Sequence, residues 1–135
     1  MFVLLEKIPR WISSATVLAA ILWITLSPAP AGDVRIQLFE GADKVVHTIM
    51  FAMLGFVLLN DLSKKSCGNK IMYGIIAAAI SSGIGITTEI LQKYMDLGRG
   101  FEYSDIAADI TGSVSGAAIS LFPCPLQKKD RNGKH

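Results

Sequence analysis

Charge is scarce in this chain. Asp, Glu, Lys and Arg make up 18% of its 135 residues against 51% hydrophobic residues, and mean hydropathy is +0.45. An ordinary soluble domain carries about a quarter charged residues, so that class is excluded. Cysteine is nearly absent as well. Cys67 and Cys124 share no CxxC spacing, which argues against a disulfide framework, a thiolate metal site or a dithiol redox centre. No long internal repeat and no low-complexity segment is present.

What the chain has instead is four apolar stretches, at 11–26, 45–60, 71–91 and 106–122. Each approaches the roughly 20 residues that a helix needs to cross the hydrocarbon core of a bilayer. The expectation is an all-α membrane protein, a bundle of four transmembrane helices with both termini cytoplasmic. Residues 1–10 form a cytoplasmic N-terminus, 11–122 the membrane domain and 123–135 a basic cytoplasmic tail. Little chain is left for a folded extramembrane domain, so function belongs to the bundle or its rim.

Orientation follows from the basic residues. With the N-terminus inside, Lys7, Arg10, Lys64, Lys65, Lys70, Lys128, Lys129, Arg131 and Lys134 are cytoplasmic, and only Arg35, Lys44, Lys93 and Arg99 are outside. This bias obeys the positive-inside rule. The basic tail reads as an orientation signal and a contact for anionic lipid rather than a nucleic-acid site. Both cysteines fall on the cytoplasmic side, where thiols stay reduced. Lys7 and Arg10 before an apolar run, with Ala29-Pro30-Ala31 after it, also fit a cleavable signal peptide. The run is long for one, and the outward placement of Asp43 and Arg99 is the same in either case.

Local signals punctuate the helices. Pro28 and Pro30 stop the first, Gly68 and Asn69 turn the chain between the second and third, and Pro123 and Pro125 end the fourth. Ser104 is placed to cap the fourth helix, with Asp105 in its first turn.

Against that apolar background the ionisable residues stand out, because a charge in a membrane segment is costly and faces a bundle interior or a water-filled cavity. Asp43 and His47 are one turn apart, with Phe51, Leu54, Gly55 and Leu58 continuing their stripe. A carboxylate at that spacing orients an imidazole and raises its basicity, as a general base or metal ligand requires. A structural hydrogen bond is the plainer reading of such a pair. The third helix puts Ser81, Gly85, Thr88, Glu89 and Gln92 on one face. Glu89 follows an uncharged stretch and should point inward, either paired with Arg99 or Lys44 or raised in pKa by desolvation; the plainer alternative is an interface carboxylate meeting water. The fourth helix places Asp105 and Asp109 above Gly112 and Gly116, with Ser113 and Ser115 nearby. The glycines read as packing residues in a GxxxG pattern, whereas Asp109, one turn inside the apolar run, is hard to explain by packing. By topology these residues, with Glu102, converge in the outer part of the bundle.

At the same residues the chain resembles the VanZ-like family of small bacterial membrane proteins, named for a protein associated with resistance to the glycopeptide teicoplanin. The resemblance is carried by Asp43-Lys44-Val45-Val46-His47 with Phe51 and Gly55, by Glu89-Ile90-Leu91-Gln92, and by Arg99 followed by Asp105-Ile106-Ala107-Ala108-Asp109 and Gly112. The Leu26-Ser27-Pro28 exit of the first helix fits as well. In one place the chain departs from the pattern: the family commonly has asparagine where this chain has Asp109, which adds a negative charge. The resemblance implies a multi-pass protein of the bacterial plasma membrane. It does not imply that this chain confers drug resistance, and it supplies no reaction.

Two classes of function follow. In the first, the outward cluster binds or modifies an envelope lipid, a lipid-linked glycan or a glycopeptide-related ligand. His47 is then the acid or base, Asp43 its orienter and Glu89 a second acid or base. Lys44 and Arg99 meet an anionic group, and Gln92, Asp105 and Asp109 complete the binding surface. No cofactor is expected, although a divalent cation held by His47, Asp43, Glu89, Asp105 and Asp109 is a metal-assisted variant. In the second class the cluster holds together a non-catalytic scaffold that docks another envelope protein. The sequence leaves enzyme and scaffold both open. Its partners are the bilayer and, in either class, room for a homo-oligomer; a transporter is disfavoured by four helices with no broken inverted repeat.

Overall fold

The computed structural model describes residues 7, 9, 11–27, 41–64, 68–95 and 102–122, and of Asp43 the backbone alone. The expectations for the first external loop, Cys67, Arg99, Cys124 and the basic tail lie outside the described residues. All regular structure within them is helical: α1 Ile12–Leu26, α2 Ala42–Ser63, α3 Lys70–Met95 and α4 Tyr103–Leu121.

The helix ends follow from local chemistry. α1 stops where Ser27 turns extended, the conformation that a following proline imposes. α2 starts from Gly41 at φ 89, a left-handed backbone that glycine adopts without strain. Asn69 accepts from the amide of Ile71 through its side-chain oxygen and so caps α3. α4 begins two residues earlier than expected. Glu102 occupies its N-cap position without a side-chain cap bond, and Ser104 lies inside the helix with its hydroxyl donating to Glu102 Oε2 at 3.0 Å. Asp105 is in the first turn as anticipated, where an acid complements the helix dipole.

α2 and α3 extend past their apolar stretches at both ends and α4 at its start, which brings the polar residues into the helical lattice. α4 packs most extensively on α2 and then on α3, while α1 lies against α2 and α3. The α2–α4 approach depends on missing side chains. A Cβ on Gly112 would strike the backbone of Thr48, one on Gly116 that of Ala52, and one on Gly55 that of Ser113. The GxxxG residues are therefore packing residues, set against a matching small-residue face on α2. Phe51, Leu54 and Leu58 are buried, joined by Leu59, Ile21 and Ala77 in one apolar core.

The rest of the molecule inverts the usual distribution. Among the described residues, twelve buried ones are polar or charged and eight are hydrophobic, while Trp23 is 77% exposed, Ile75 66% and Ile71 62%. Two helices, α2 from Lys44 to Ser63 and α3, are long and apolar enough to cross a membrane. α1 is apolar but only 15 residues long, or about 22 Å at 1.5 Å per residue. α4 is 19 residues long but carries Asp105, Asp109 and a run of glycine and serine. Two candidate spans stand where the sequence suggests four, because the prolines shorten α1 and the inward polar face lowers the hydropathy of α4.

Candidate functional site

His47, Glu89 and Asp109 come from three different helices. Counting 1.5 Å per residue from Ala42, Met95 and Tyr103, they lie about 8 to 9 Å below the same end of the bundle. They share one layer because α2 and α4 both run down from that end, whereas α3 runs up to it.

The centre of the layer is a pair formed across 62 positions of sequence. His47 Nδ1 lies 2.9 Å from Asp109 Oδ1, with the aspartate fully buried and the histidine nearly so. With the carboxylate ionised, Nδ1 carries the hydrogen and donates it, which fixes the ring and its tautomer. The carboxylate on Nδ1 is thus Asp109. The side chain of Asp43, expected in that role, lies outside the described residues.

Asp109 fits because α3 has no side chain opposite it. A Cβ on Gly85 would come within 2.8 Å of both Asp109 Cβ and Oδ2. Below it, Ser113 Oγ lies 2.7 Å from the Asp109 carbonyl oxygen and 2.8 Å from Ser81 Oγ, closing the small polar seam between α3 and α4.

Glu89 is also inward, at 1% exposure. Its Oε1 accepts from the Glu102 amide at 3.2 Å, and Asp105, His47 and Asp109 are near enough to act on its charge. The expected pairing with Lys44 is replaced. Lys44 Nζ lies 3.1 Å from Glu102 Oε2 and 4.0 Å from Asp105 Oδ1 at the exposed rim. Lys44 and then Ser104 hold the Glu102 carboxyl below its ordinary value of 4.5 by hydrogen bonding to the ionised form.

Among the described residues, Glu89 Oε2 and Asp109 Oδ2 are fully buried with no hydrogen-bond donor. Buried acceptors of this kind are uncommon and call for an explanation. Among the described residues no group of three or more His, Cys, Asp or Glu is arranged to hold a metal ion.

Gln92 is buried on the same face, but its Nε2 donates to the Thr25 carbonyl at 2.8 Å, tying α3 to the last turn of α1. Its amide serves a helix end and not the acid cluster. Arg99 lies outside the described residues. Sequence reasoning also missed Asp61, which it left in the second loop. Asp61 is wholly buried near the end of α2, where Oδ2 accepts from Ser14 Oγ at 2.6 Å and from the Ser14 amide at 3.2 Å. Its Oδ1 sits 3.1 Å from Lys64 Nζ. The sign was an acid within a helix-length apolar run, as for Glu89.

Compared with known proteins, the chain matches no family model, no curated protein and no solved structure.

Proposed function

We propose that this chain is a four-span, VanZ-like integral protein of the bacterial plasma membrane, with both termini cytoplasmic. Its His47, Asp109 and Glu89 layer forms an outward site for the headgroup of an envelope lipid or lipid-linked glycan. Support for the membrane setting comes from the apolar exterior joined to a polar interior, an arrangement that would aggregate in water. In this reading α1 and α4 complete the crossing beside the two longer helices, with Trp23 and Tyr94 near the outer interface and Trp11 near the inner one.

The observation that carries the reading is the incomplete pairing of the buried cluster. A purely structural set of charges gains from satisfying every acceptor, since a half-satisfied buried network is worse than an apolar one. Here Glu89 Oε2 and Asp109 Oδ2 wait for a donor. In this role Asp109 orients His47, His47 moves a proton to or from the bound headgroup, and Lys44 and Asp105 line the approach. A scaffold is the second reading, favoured by Gln92 and Asp61, whose polar atoms join helix to helix.

Profiling lipids and cell-wall precursors in cells with and without the gene separates the two. On the site reading, deletion changes the profile, wild-type protein restores it, and His47→Ala at equal membrane abundance does not. Full restoration by His47→Ala would leave only the scaffold.

A further inference from the structure

Four acids, Glu89, Glu102, Asp105 and Asp109, gather with the Lys44 ammonium and the His47 imidazole. The rim already shows how the cluster takes a cation. One ammonium sits between Glu102 and Asp105, 43% exposed and in contact with solvent. An exposed pair of that kind contributes little and is readily exchanged. Deeper in, the two oxygens without donors belong to Glu89 and Asp109, residues that are 1% and 0% exposed.

From this arrangement we infer that the site binds the ammonium of a primary amine, entering past the Lys44–Glu102 rim and donating to Glu89 Oε2 and Asp109 Oδ2. This rests on the headgroup-binding reading above and names its chemistry. An ammonium brings three donors and one positive charge on a compact centre, which answers the missing donors of the two buried carboxylates. A phosphate would bring neither. A quaternary ammonium would bring the charge but no N–H, so the site distinguishes amine from trimethylamine. A metal ion would need a convergent set of ligands that the described residues do not form. The amine has two sources, a lipid headgroup or a free small amine, and the chemistry is shared.

The test uses the full chain in nanodiscs of three compositions: phosphatidylcholine alone, phosphatidylcholine with phosphatidylethanolamine, and phosphatidylcholine with phosphatidylglycerol. Lipid retention is read by native mass spectrometry and the unfolding midpoint by Trp fluorescence. A fourth arm adds ethanolamine to phosphatidylcholine discs. The expected result is selective retention of phosphatidylethanolamine with a raised midpoint, or saturable stabilisation by ethanolamine if the source is a free amine. Glu89→Gln, checked for folding by circular dichroism, should weaken either effect about tenfold or more, the scale of a lost charge-assisted hydrogen bond. Headgroup discrimination by the wild type stands as a readout even if the variant misfolds. Equal response to all three lipids and none to ethanolamine overturns the inference, as does amine binding that survives intact in well-folded Glu89→Gln. Selective retention of phosphatidylglycerol, lost in Glu89→Gln, overturns the amine and leaves the headgroup site standing.

Discussion

His47 meets Asp109 on another helix, across 62 positions of sequence. The local spacing says which side chains share a face; it does not say what the facing helix brings. The rim behaves differently from the buried pair. Glu102 is exposed, and its carboxyl is held below 4.5 by Lys44 first and Ser104 second. A carboxyl whose folded pKa is depressed stabilises above its unfolded value, and that contribution disappears as pH falls through the folded value. Wild type should therefore unfold at a slightly higher temperature than Glu102→Gln at neutral pH, with the gap closing below 4.5. Thermal unfolding in detergent across that range checks it. Added salt should narrow the gap at neutral pH as well, because the pair is solvent-exposed.

At the scale of elements, α1 is the informative case. It lacks a side-chain cap of its own: Trp11 stands at its N-cap position in the left-handed region, at φ 75. The missing acceptor comes from α2, where Asp61 accepts from both the amide and hydroxyl of Ser14. At the other end Gln92 of α3 donates to the Thr25 carbonyl. In a membrane, where packing apolar surfaces gains little over contact with lipid, polar fasteners of this kind carry much of the helix association. Asp61→Ala should cost about 1 to 2 kcal/mol, the usual worth of a cap. Hydrogen exchange at the first turn of α1 should speed up while the α2–α4 contact stays protected. Unchanged exchange there would show that α1 is held by its apolar contacts alone.

Across the described residues, serine, threonine and acids are frequent within, and many isoleucine, methionine and tryptophan side chains lie without. The choice of solvent explains both halves at once. Trp23 tests it directly. In a Trp11→Phe background, Trp23 is the sole tryptophan. In vesicles its fluorescence should be quenched strongly by lipid-borne bromine or nitroxide and weakly by aqueous acrylamide. Strong acrylamide quenching would place this face in water and remove the membrane assignment of α1.

Much of the helical layout was readable from the chain. Proline after Ser27 and after Phe122, glycine at 41 and asparagine at 69 mark four helix ends, and each acts on the backbone through its own immediate neighbours. The faces of α3 and α4 were equally readable: Ser81, Gly85, Thr88, Glu89 and Gln92 are all buried, as are Asp105, Asp109, Gly112 and Gly116. Helical periodicity alone puts them on one side. Partner choice was not readable: His47 with Asp109, Glu89 with the Glu102 amide, Gln92 with Thr25 and Asp61 with Ser14 join residues far apart along the chain, apart from the loop-spanning Glu89 contact.

The sequence by itself determined four helix ends and the inward sides of α3 and α4, because capping, proline and the 3.6-residue period are local. Only the tertiary structure decided which acid meets the imidazole, which amide closes a helix end and which oxygens are left without donors. Those outcomes depend on how closely α2, α3 and α4 approach, and that distance is set jointly by glycines on separate helices.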